Sequence, residues 1–421
     1  MNYSAQFDYV YQWFAERLSL NQLIYFLRKK SVPIHRHTIW YYLGNILLTA
    51  ILIQIVTGIV LTFHYQPTPA TAYESIKTII SEIKYGWLIR SIHKWGAYFM
   101  IAAAWIHLFS TFFFKAYRRP RELIWWSGVI LFTLIMMLGF SGYLLPWSEH
   151  AFFATRVGTG IAGQVPIIGS GLKIFLRGGT EISDLTLTRF FALHVVVLPL
   201  AILLLGGLHL LLIQIHGLSV PASLENRQLS LKRIPFFPEF ILQDLAISCW
   251  VTASIVALAV FFPCELGKKF DPILSTPESV LPEWYFLFMF KTLQMLPAQI
   301  GPLTGAQVGI FGFGVGFLLI FFAPLLERIF LRVSGRIFNI SGIIMITFVI
   351  VMTILALINY DRVPSIEAID LMQNTLAHQQ LPGLLIFLPT LIALGIFLWL
   401  KARDLALLRI QGFFSNPSEE K

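Results

Sequence analysis

Charged residues are scarce in this chain, and cysteine is almost absent. Asp, Glu, Lys and Arg make up 13% of the 421 residues, whereas hydrophobic residues make up 57%. A soluble domain carries about a quarter charged residues, so this composition excludes a soluble globular protein and predicts an integral membrane protein. Cys249 and Cys264 are the only cysteines, which argues against a disulfide framework and against a cysteine-built metal site.

Eight apolar runs are long enough to cross a bilayer, which takes about 20 residues each. They predict an all-α, polytopic membrane helical bundle with eight transmembrane helices. We name the runs spans A to H, and they centre on Ile39–His64, Trp95–Phe114, Leu123–Leu145, Phe190–Ile213, Leu242–Phe262, Val308–Leu326, Ile340–Ile358 and Leu384–Leu400.

Basic residues indicate how the bundle lies in the membrane. The net charge of +9 is not a nucleic-acid signal, because Lys and Arg cluster beside the spans as membrane-flanking charges do. If every run spans, all the clusters lie on one side, and both termini are cytoplasmic in what we expect to be a bacterial inner membrane. The clusters are Arg28–Arg36, Lys115–Arg121, Arg227–Arg233, Arg328–Arg336 and Lys401–Arg409.

Two long connections lie on the opposite, outer side. They run from Pro146 to Leu187 and from Pro263 to Gln307, and loops of this length in a compact bundle are usually functional. Apolar and charged residues alternate before span A, which predicts a helix on the cytoplasmic interface. The domains we expect are therefore 1–38 (interfacial segment), 39–216 (spans A to D), 217–239 (linker), 240–403 (spans E to H) and 404–421 (cytoplasmic tail).

Spans B and D each carry two histidines at nearly the same interval. His93 and His107 are 14 residues apart, and His194 and His209 are 15 apart, so two levels lie roughly 21 to 23 Å from each other along the helices. Spans B and D run in the same direction, which pairs His93 with His194 and His107 with His209. A single histidine at membrane depth is often only a hydrogen-bonded core residue, but two matched pairs indicate function.

Each pair can supply two axial ligands to a metal. Haem iron suits two imidazoles better than zinc, which takes four protein ligands or three and a water. Span A carries Gly44 and Gly58, and span C carries Gly128 and Gly142. Each pair of glycines is 14 residues apart, which repeats the histidine interval. Glycine lets a large planar ligand approach the backbone, although tight helix packing also uses small residues. The expected core is thus a four-helix dihaem bundle of spans A to D.

Four segments together resemble cytochrome b of the Rieske/cytochrome bc complexes, over almost the whole chain. They are Gly86–His107, SGYLLPW at Ser141–Trp147, LTRFFALH at Leu187–His194 and PEWY at Pro282–Tyr285. Three features are similar to the plastid and cyanobacterial cytochrome bf branch of that family. They are the 15-residue histidine interval on span D and the segments VPIIGS and WLIRS. That branch splits the chain after span D and attaches an extra haem through a cysteine. Tyr42 stands at that position here, so no covalent third haem is expected by that route, while a non-covalent one stays open.

The resemblance implies a quinol oxidoreductase subunit with two b-type haems, the outer on His93 and His194 and the inner on His107 and His209. Quinol would be oxidised at the outer side by electron bifurcation, one electron passing to a Rieske iron-sulfur protein and the other to the haem pair. Quinone would be reduced at the cytoplasmic side, contributing to a proton gradient. Implied partners are the Rieske protein, a c-type cytochrome or equivalent acceptor, lipid and a second copy of the complex, with no nucleic acid.

Candidate residues for the quinol and quinone sites follow from the same resemblance. Glu283 would exchange a proton, because a carboxylate beside a low-dielectric pocket can do so near neutral pH. Tyr285 would hydrogen-bond quinol or the docked partner. The outer pocket would be shaped by Pro282, Trp284, Tyr143, Pro146 and Trp147, and Asp244 would donate protons at the inner quinone site, unless it only caps span E.

Three arginines are candidate partners of haem propionates. Arg90 and Arg189 precede His93 and His194 by a few residues, and Arg121 lies just before span C on the inner side; each could equally be an interfacial anchor.

Two other functions remain open at this point. A dihaem membrane-anchor cytochrome b of a dehydrogenase or hydrogenase would explain the histidines but would not need PEWY or the long outer loops. A transporter would explain the bundle but would leave the matched intervals coincidental.

Overall fold

A computed structural model of the chain describes residues 3–35, 37–221, 224, 231–272, 282–329 and 336–358. The described chain is almost entirely helical. Its α-helices are α1 (Tyr3–Arg17), α2 (Leu20–Lys29), α3 (Leu43–Thr62), α4 (Ala72–Ser81), α5 (Gly86–Phe113), α6 (Glu122–Leu144), α7 (Glu149–Gly163), α8 (Gly169–Arg177), α9 (Asp184–Ala192), α10 (Leu198–His216), α11 (Ile241–Phe261), α12 (Leu287–Met295), α13 (Gly305–Phe321), α14 (Ala323–Ile329) and α15 (Arg336–Ile358).

Six helical segments in the described part are long and apolar enough to cross a membrane. They correspond to spans A to E and G, and their bounds are Thr38–Thr62, Gly86–Phe113, Glu122–Leu144, Asp184–His216, Phe236–Phe261 and Ile337–Ile358. Span F is a bent pair, α13 and α14, with an angle of 72° at the break, and it makes a seventh candidate if it counts as one span. Span H and the predicted tail, 404–421, lie outside the described residues.

The long helix of span D contains a wide turn. A π-helical turn, Leu193–Val197, joins α9 to α10, and Pro199 follows it closely. Proline has no N–H to offer the carbonyl four residues before it, which favours a local departure from α-helical geometry. A π turn accommodates one more residue than an α turn. His194 lies in this turn, so the extra residue of its interval to His209 is taken up there.

The N-terminal segment forms two helices where the sequence predicts one. They separate at Ser19, whose φ of 50° lies in the left-handed region. After α2, strand β1 (Ser31–Pro33) pairs antiparallel with β2 (Arg233–Pro235), with Val32 opposite Ile234. Since β1 precedes α3 and β2 precedes α11, the pairing brings the starts of spans A and E to one side of the bundle. A second, two-residue hairpin joins β3 (Gln299–Ile300) to β4 (Leu303–Thr304).

The chain divides into two compact units. The first comprises Met1–Gln66, Glu74–Gly139 and Leu193–Leu266, where α3 packs along α5 and α11 packs against both. The second comprises Pro67–Tyr73, Phe140–Ala192 and Gly267–Lys421. In its described part α7 packs on α8, and α12 packs against α13 and α15. The domain boundaries that the sequence suggests stay a prediction.

Gly86 is required by close packing at the start of α5. A Cβ atom at this position would lie 2.0 Å from the backbone carbonyl oxygen of Ile79, and backbone cannot move aside cheaply. We therefore expect Gly86→Ala to destabilise the protein by about 1–3 kcal/mol, seen as a lower midpoint of thermal unfolding in detergent. Gly312→Ala in α13 is the control, because its Cβ would meet nothing within 4 Å; equal midpoints for the two variants would contradict the packing argument.

Candidate functional site

The structure brings the rings of His93 and His194 together, edge to face. His93 lies on α5 and His194 in the π turn, their ring centroids are 6.3 Å apart, and the ring planes meet at 77°. Imidazole nitrogens bind a metal at about 2 Å, so two rings on opposite sides of one metal have centroids roughly 6 Å apart. The observed separation therefore fits a single metal ion held between these two rings.

His107 and His209 form a second pair at the other level of the same helices. Their side chains are close enough to interact electrostatically, and each belongs to a membrane-spanning segment. Among the residues the structure describes, no cluster of three or more His, Cys, Asp and Glu side chains could hold a metal ion by itself. The two pairs thus suit a cofactor that brings its own equatorial ligands, as haem does.

Hydroxyl side chains on neighbouring helices hold two of the rings. Thr57 Oγ1 on α3 lies 2.9 Å from Nδ1 of His93, and Ser127 Oγ on α6 lies 2.8 Å from Nδ1 of His209. Both hydroxyl residues are buried. The sequence analysis missed them, although each directly precedes one of the matched glycines, which is the signal that could have indicated them.

Two of the matched glycines make room for the histidine rings themselves. A Cβ at Gly58 would lie 3.3 Å from Cε1 of His93, and a Cβ at Gly128 would lie 3.2 Å from Cε1 of His209. A Cβ at Gly44 would meet no atom within 4 Å, and Gly142 lies near the end of α6. At Gly58 and Gly128 the nearest side-chain atoms thus belong to histidine rings. The approach of a planar ligand to the four glycines stays a prediction.

The comparisons with known proteins agree on one family. A family model described as Cytochrome b/b6/petB matches residues 28–217, and one described as Cytochrome b(C-terminal)/b6/petD matches residues 271–377. The chain is 42% identical over 348 residues to the cytochrome bc complex cytochrome b subunit of Chlorobaculum thiosulfatiphilum, covering 82% of this chain and 80% of that protein. The chain belongs to the cytochrome b family. Members of this family bind b-type haem and serve electron transport in bc complexes.

Two further relatives show how the matches divide along this cytochrome b. Cytochrome b6 of Synechococcus elongatus is 41% identical over 212 residues, which are 50% of this chain and 98% of that protein. A solved structure titled "Hyperthermophilic respiratory Complex III" matches with a TM-score of 0.72 at 28% identity, covering 90% of this chain and 96% of that one. Both family halves therefore lie on one polypeptide here, as the sequence analysis inferred.

The PEWY residues form a polar cluster with Tyr143 in the second unit. Tyr285 is buried, with 4% of its surface exposed, whereas Trp284 is 38% exposed. Glu283 is close enough to interact electrostatically with both Tyr143 and Tyr285. Burial, with the charge of Glu283 adding to it, raises the pKa of the Tyr285 hydroxyl. Tyr285 therefore keeps its proton across the physiological range and is available as a hydrogen-bond donor.

The two long outer loops pair with each other beside this cluster, within the second unit. The Glu149 N–H donates to the Lys268 carbonyl at 2.9 Å, and the Phe270 N–H donates to the Trp147 carbonyl at 3.3 Å. Phe270 stacks on Phe152 with ring centroids 3.7 Å apart, and the buried Trp147 packs edge-on against both rings. Pro146, partly exposed, ends the last turn before this contact. Neither Phe152 nor Phe270 was a sequence candidate, since no local pattern links the two loops.

The three candidate arginines all donate to backbone carbonyls. Arg90 donates to Cys264 at 2.6 Å and to Glu265 at 3.2 Å, which ties the start of α5 to the segment after α11. Arg189 donates to the Phe175 carbonyl at the end of α8, and Arg121 donates to His216 at 3.2 Å. These bonds give each arginine an anchoring role; the propionate role stays a prediction.

Asp244 lies in the first turn of α11 beside a polar group of α3. The Asn45 side-chain amide donates to the Asp244 backbone carbonyl at 2.8 Å and to Ser248 Oγ at 3.0 Å, and Thr49 continues the series with a 2.9 Å bond to Ser248. Oδ1 of Asp244 is buried and has no hydrogen-bond partner in the described part of the chain. A carboxylate oxygen in this position is suited to accept or pass a proton.

The glycine contacts predict which variants disturb which histidine pair. Gly58→Val adds methyl groups beyond a Cβ that already touches His93, so the outer pair loses its geometry; Gly128→Val does the same to His209 and the inner pair. On the sequence prediction of one haem for each histidine pair, we expect each variant to lose or shift a different haem component in a redox-titrated visible spectrum. Loss of the same component in both variants would contradict the assignment of glycines to pairs.

Proposed function

We propose that this cytochrome b oxidises quinol at the outer side of the membrane by electron bifurcation, with one electron passing to a Rieske iron-sulfur protein. The second electron crosses the membrane, and two such electrons, from two quinols oxidised in succession, reduce one quinone to quinol at the cytoplasmic side. Protons are thus released outside and taken up inside. The observation that carries the proposal is that the chain has two histidine pairs, one of them with its rings in contact, and also the Tyr143, Glu283 and Tyr285 cluster beside the paired loops.

The histidine pairs fit two b-type haems, an outer one on His93 and His194 and an inner one on His107 and His209. The 6.3 Å ring separation of the outer pair supports this ligation. Haem held between the two histidines of each pair would supply one-electron transfer. Electron transfer across the membrane is therefore what the four histidines can serve, rather than chemistry on oxygen or on a substrate.

The PEWY cluster suits the outer reaction. Glu283 accepts a proton from bound quinol, and Tyr285, which stays protonated, donates a hydrogen bond that orients the quinol or the docked partner. Pro282 and Trp284 shape the loop that carries these groups, while Pro146 and Trp147 form the opposite wall of the paired loops. Two groups of different function, a proton acceptor and a hydrogen-bond donor, thus lie within reach of one small ligand.

The reduction of quinone at the cytoplasmic side takes place at the start of α11. Asp244 supplies a proton to the reduced quinone, and the series Asn45, Ser248 and Thr49 supports the backbone at that point. We further propose that the complex works as a homodimer with a c-type cytochrome or equivalent acceptor, in a bacterial inner membrane. Both termini lie on the cytoplasmic side. The domains are 1–38, 39–216, 217–239, 240–403 and 404–421.

Glu283→Gln tests the proposal directly. The amide keeps the size of the side chain but cannot take up a proton, so quinol-dependent reduction of the acceptor should fall on the order of 10²-fold. Glu82→Gln, which changes an exposed glutamate at the end of the α4 segment, is the matched control and should keep the wild-type rate.

The measurement is quinol oxidation by the purified complex, with and without an outer-site quinol analogue as inhibitor. A wild-type rate in Glu283→Gln would contradict the role of the PEWY carboxylate. Insensitivity of the wild-type protein to the inhibitor would favour the dehydrogenase or hydrogenase membrane anchor instead.

A further inference from the structure

We propose that Arg177, a buried arginine of the loop between spans C and D, is a positioning residue for quinol oxidation. It holds α7 from one side, while the opposite side of that helix supports the cluster of Tyr143, Glu283 and Tyr285. The inference rests on the proposed function, because it concerns the pocket in which quinol would react. Every residue that it uses lies in the second compact unit.

Arg177 is a charged residue in a buried position. It ends α8, and only 3% of its surface is exposed. Arginine stays protonated in proteins, and a buried charge is costly unless it is hydrogen-bonded. An apolar side chain of similar volume often stabilises a buried contact equally well. A guanidinium in this place therefore indicates that the direction of its hydrogen bonds matters.

The guanidinium of Arg177 donates hydrogen bonds in three directions. Nε donates to Thr159 Oγ1 at 2.7 Å, and Nη2 donates to the Arg156 carbonyl at 2.9 Å, both on α7. Nη1 donates to the Thr180 carbonyl at 2.9 Å, in the turn between α8 and α9. The Arg177 carbonyl in turn accepts a hydrogen bond of 2.5 Å from Thr186 Oγ1 on α9. One residue thus ties three helices together.

The sequence of α7 is suited to receive this guanidinium. Thr159 is fully buried and donates its own proton to the Thr155 carbonyl at 2.7 Å, so its oxygen accepts the hydrogen bond from Arg177. Gly160 has no side chain on the approach, since a Cβ at that position would lie 4.0 Å from Nη2 of Arg177. Glycine leaves room for another group to come close to the helix backbone.

The opposite face of α7 lies against the proposed quinol pocket. Ala154 and Gly158 are four residues apart and share this face, and the positions two residues further along lie about 200° around the helix, where Arg177 binds. Ala154 belongs to the buried apolar cluster against which Tyr143 packs. Gly158 lies against the Phe140 ring, because a Cβ at Gly158 would come within 2.6 Å of it.

Phe140 continues the contact to the PEWY segment. Its ring centroid lies 6.1 Å from that of Phe286, edge to face. Phe286 directly follows Tyr285, and their ring centroids are 4.8 Å apart. A shift of α7 would therefore reach Tyr143 by one contact and Tyr285 by another. Since these groups are proposed to bind one ligand, their spacing sets how well quinol is held, and misplacement by about 1 Å can cost up to about 10²-fold.

Thr159→Val is the first test, because valine keeps the branched shape and leaves Nε of Arg177 without its acceptor. In the purified complex, the KM for quinol and the inhibition constant of an outer-site quinol analogue should both rise on the order of 10-fold. Haem content should stay at the wild-type value. Thr188→Val is the matched control, because Thr188 is an exposed threonine on α9, and it should leave both constants unchanged.

Two further variants approach α7 from its two sides. Arg177→Lys keeps the charge, but an ammonium cannot reproduce the planar fork of donors, so both constants should rise as in Thr159→Val. Gly158→Ala leaves the bonds of Arg177 in place and displaces Phe140 from the opposite face, and it should give the same change. If Arg177→Lys does not fold, Thr159→Val and Gly158→Ala decide.

The separation of KM from kcat distinguishes positioning from mere stabilisation. A residue that only stabilises the fold would lower the amount of active protein, so kcat would fall while KM and the inhibition constant stayed the same; this result would overturn the inference. Wild-type constants in both Thr159→Val and Gly158→Ala would overturn it as well. A wild-type complex that neither oxidises quinol nor responds to the analogue would overturn the proposed function, and the inference with it.

Discussion

The structure depends on one constraint, which is that an imidazole inside a membrane is costly unless its ring nitrogens have partners. An unpaired polar atom costs several kcal/mol in hydrocarbon. In this protein the rings of His93 and His194 lie against each other, and Nδ1 of His93 and Nδ1 of His209 meet hydroxyl groups on α3 and α6. Nδ1 of His107 is the buried ring nitrogen that has no hydrogen-bond partner in the described part of the chain.

The second level imposes a condition on helix geometry. For both pairs to form, span D must present His194 and His209 toward α5, which carries His93 and His107. The interval between the two histidines is one residue longer on span D than on α5. The π turn at Leu193–Val197 absorbs that residue. Irregular turns of this kind occur mostly at functional sites, and here the turn contains a ligand candidate, His194. The distortion is therefore part of how the pair is built.

Much of this arrangement could be predicted from sequence, because membrane spans and repeated intervals are local signals. Spans A to E and G fall on the expected runs, and Glu283 and Tyr285 lie near Tyr143 at the end of α6. The side-chain contacts could not be predicted, because they depend on which helix and loop surfaces face each other in the fold. Nothing local in the sequence shows that Thr57 lies behind His93, that Phe270 stacks on Phe152, or that Arg90 and Arg189 point toward backbone carbonyls. The bend in span F at Phe322 is equally invisible in a hydropathy count.

The most direct test of the account is a redox-titrated, reduced-minus-oxidised visible spectrum of the purified protein, with haem extracted from the same sample and quantified. Two histidine pairs at two levels predict two extractable b-type haems per chain, titrating as two components. A protein that contains no haem, or a single haem component, would contradict the pairing of His93 with His194 and of His107 with His209.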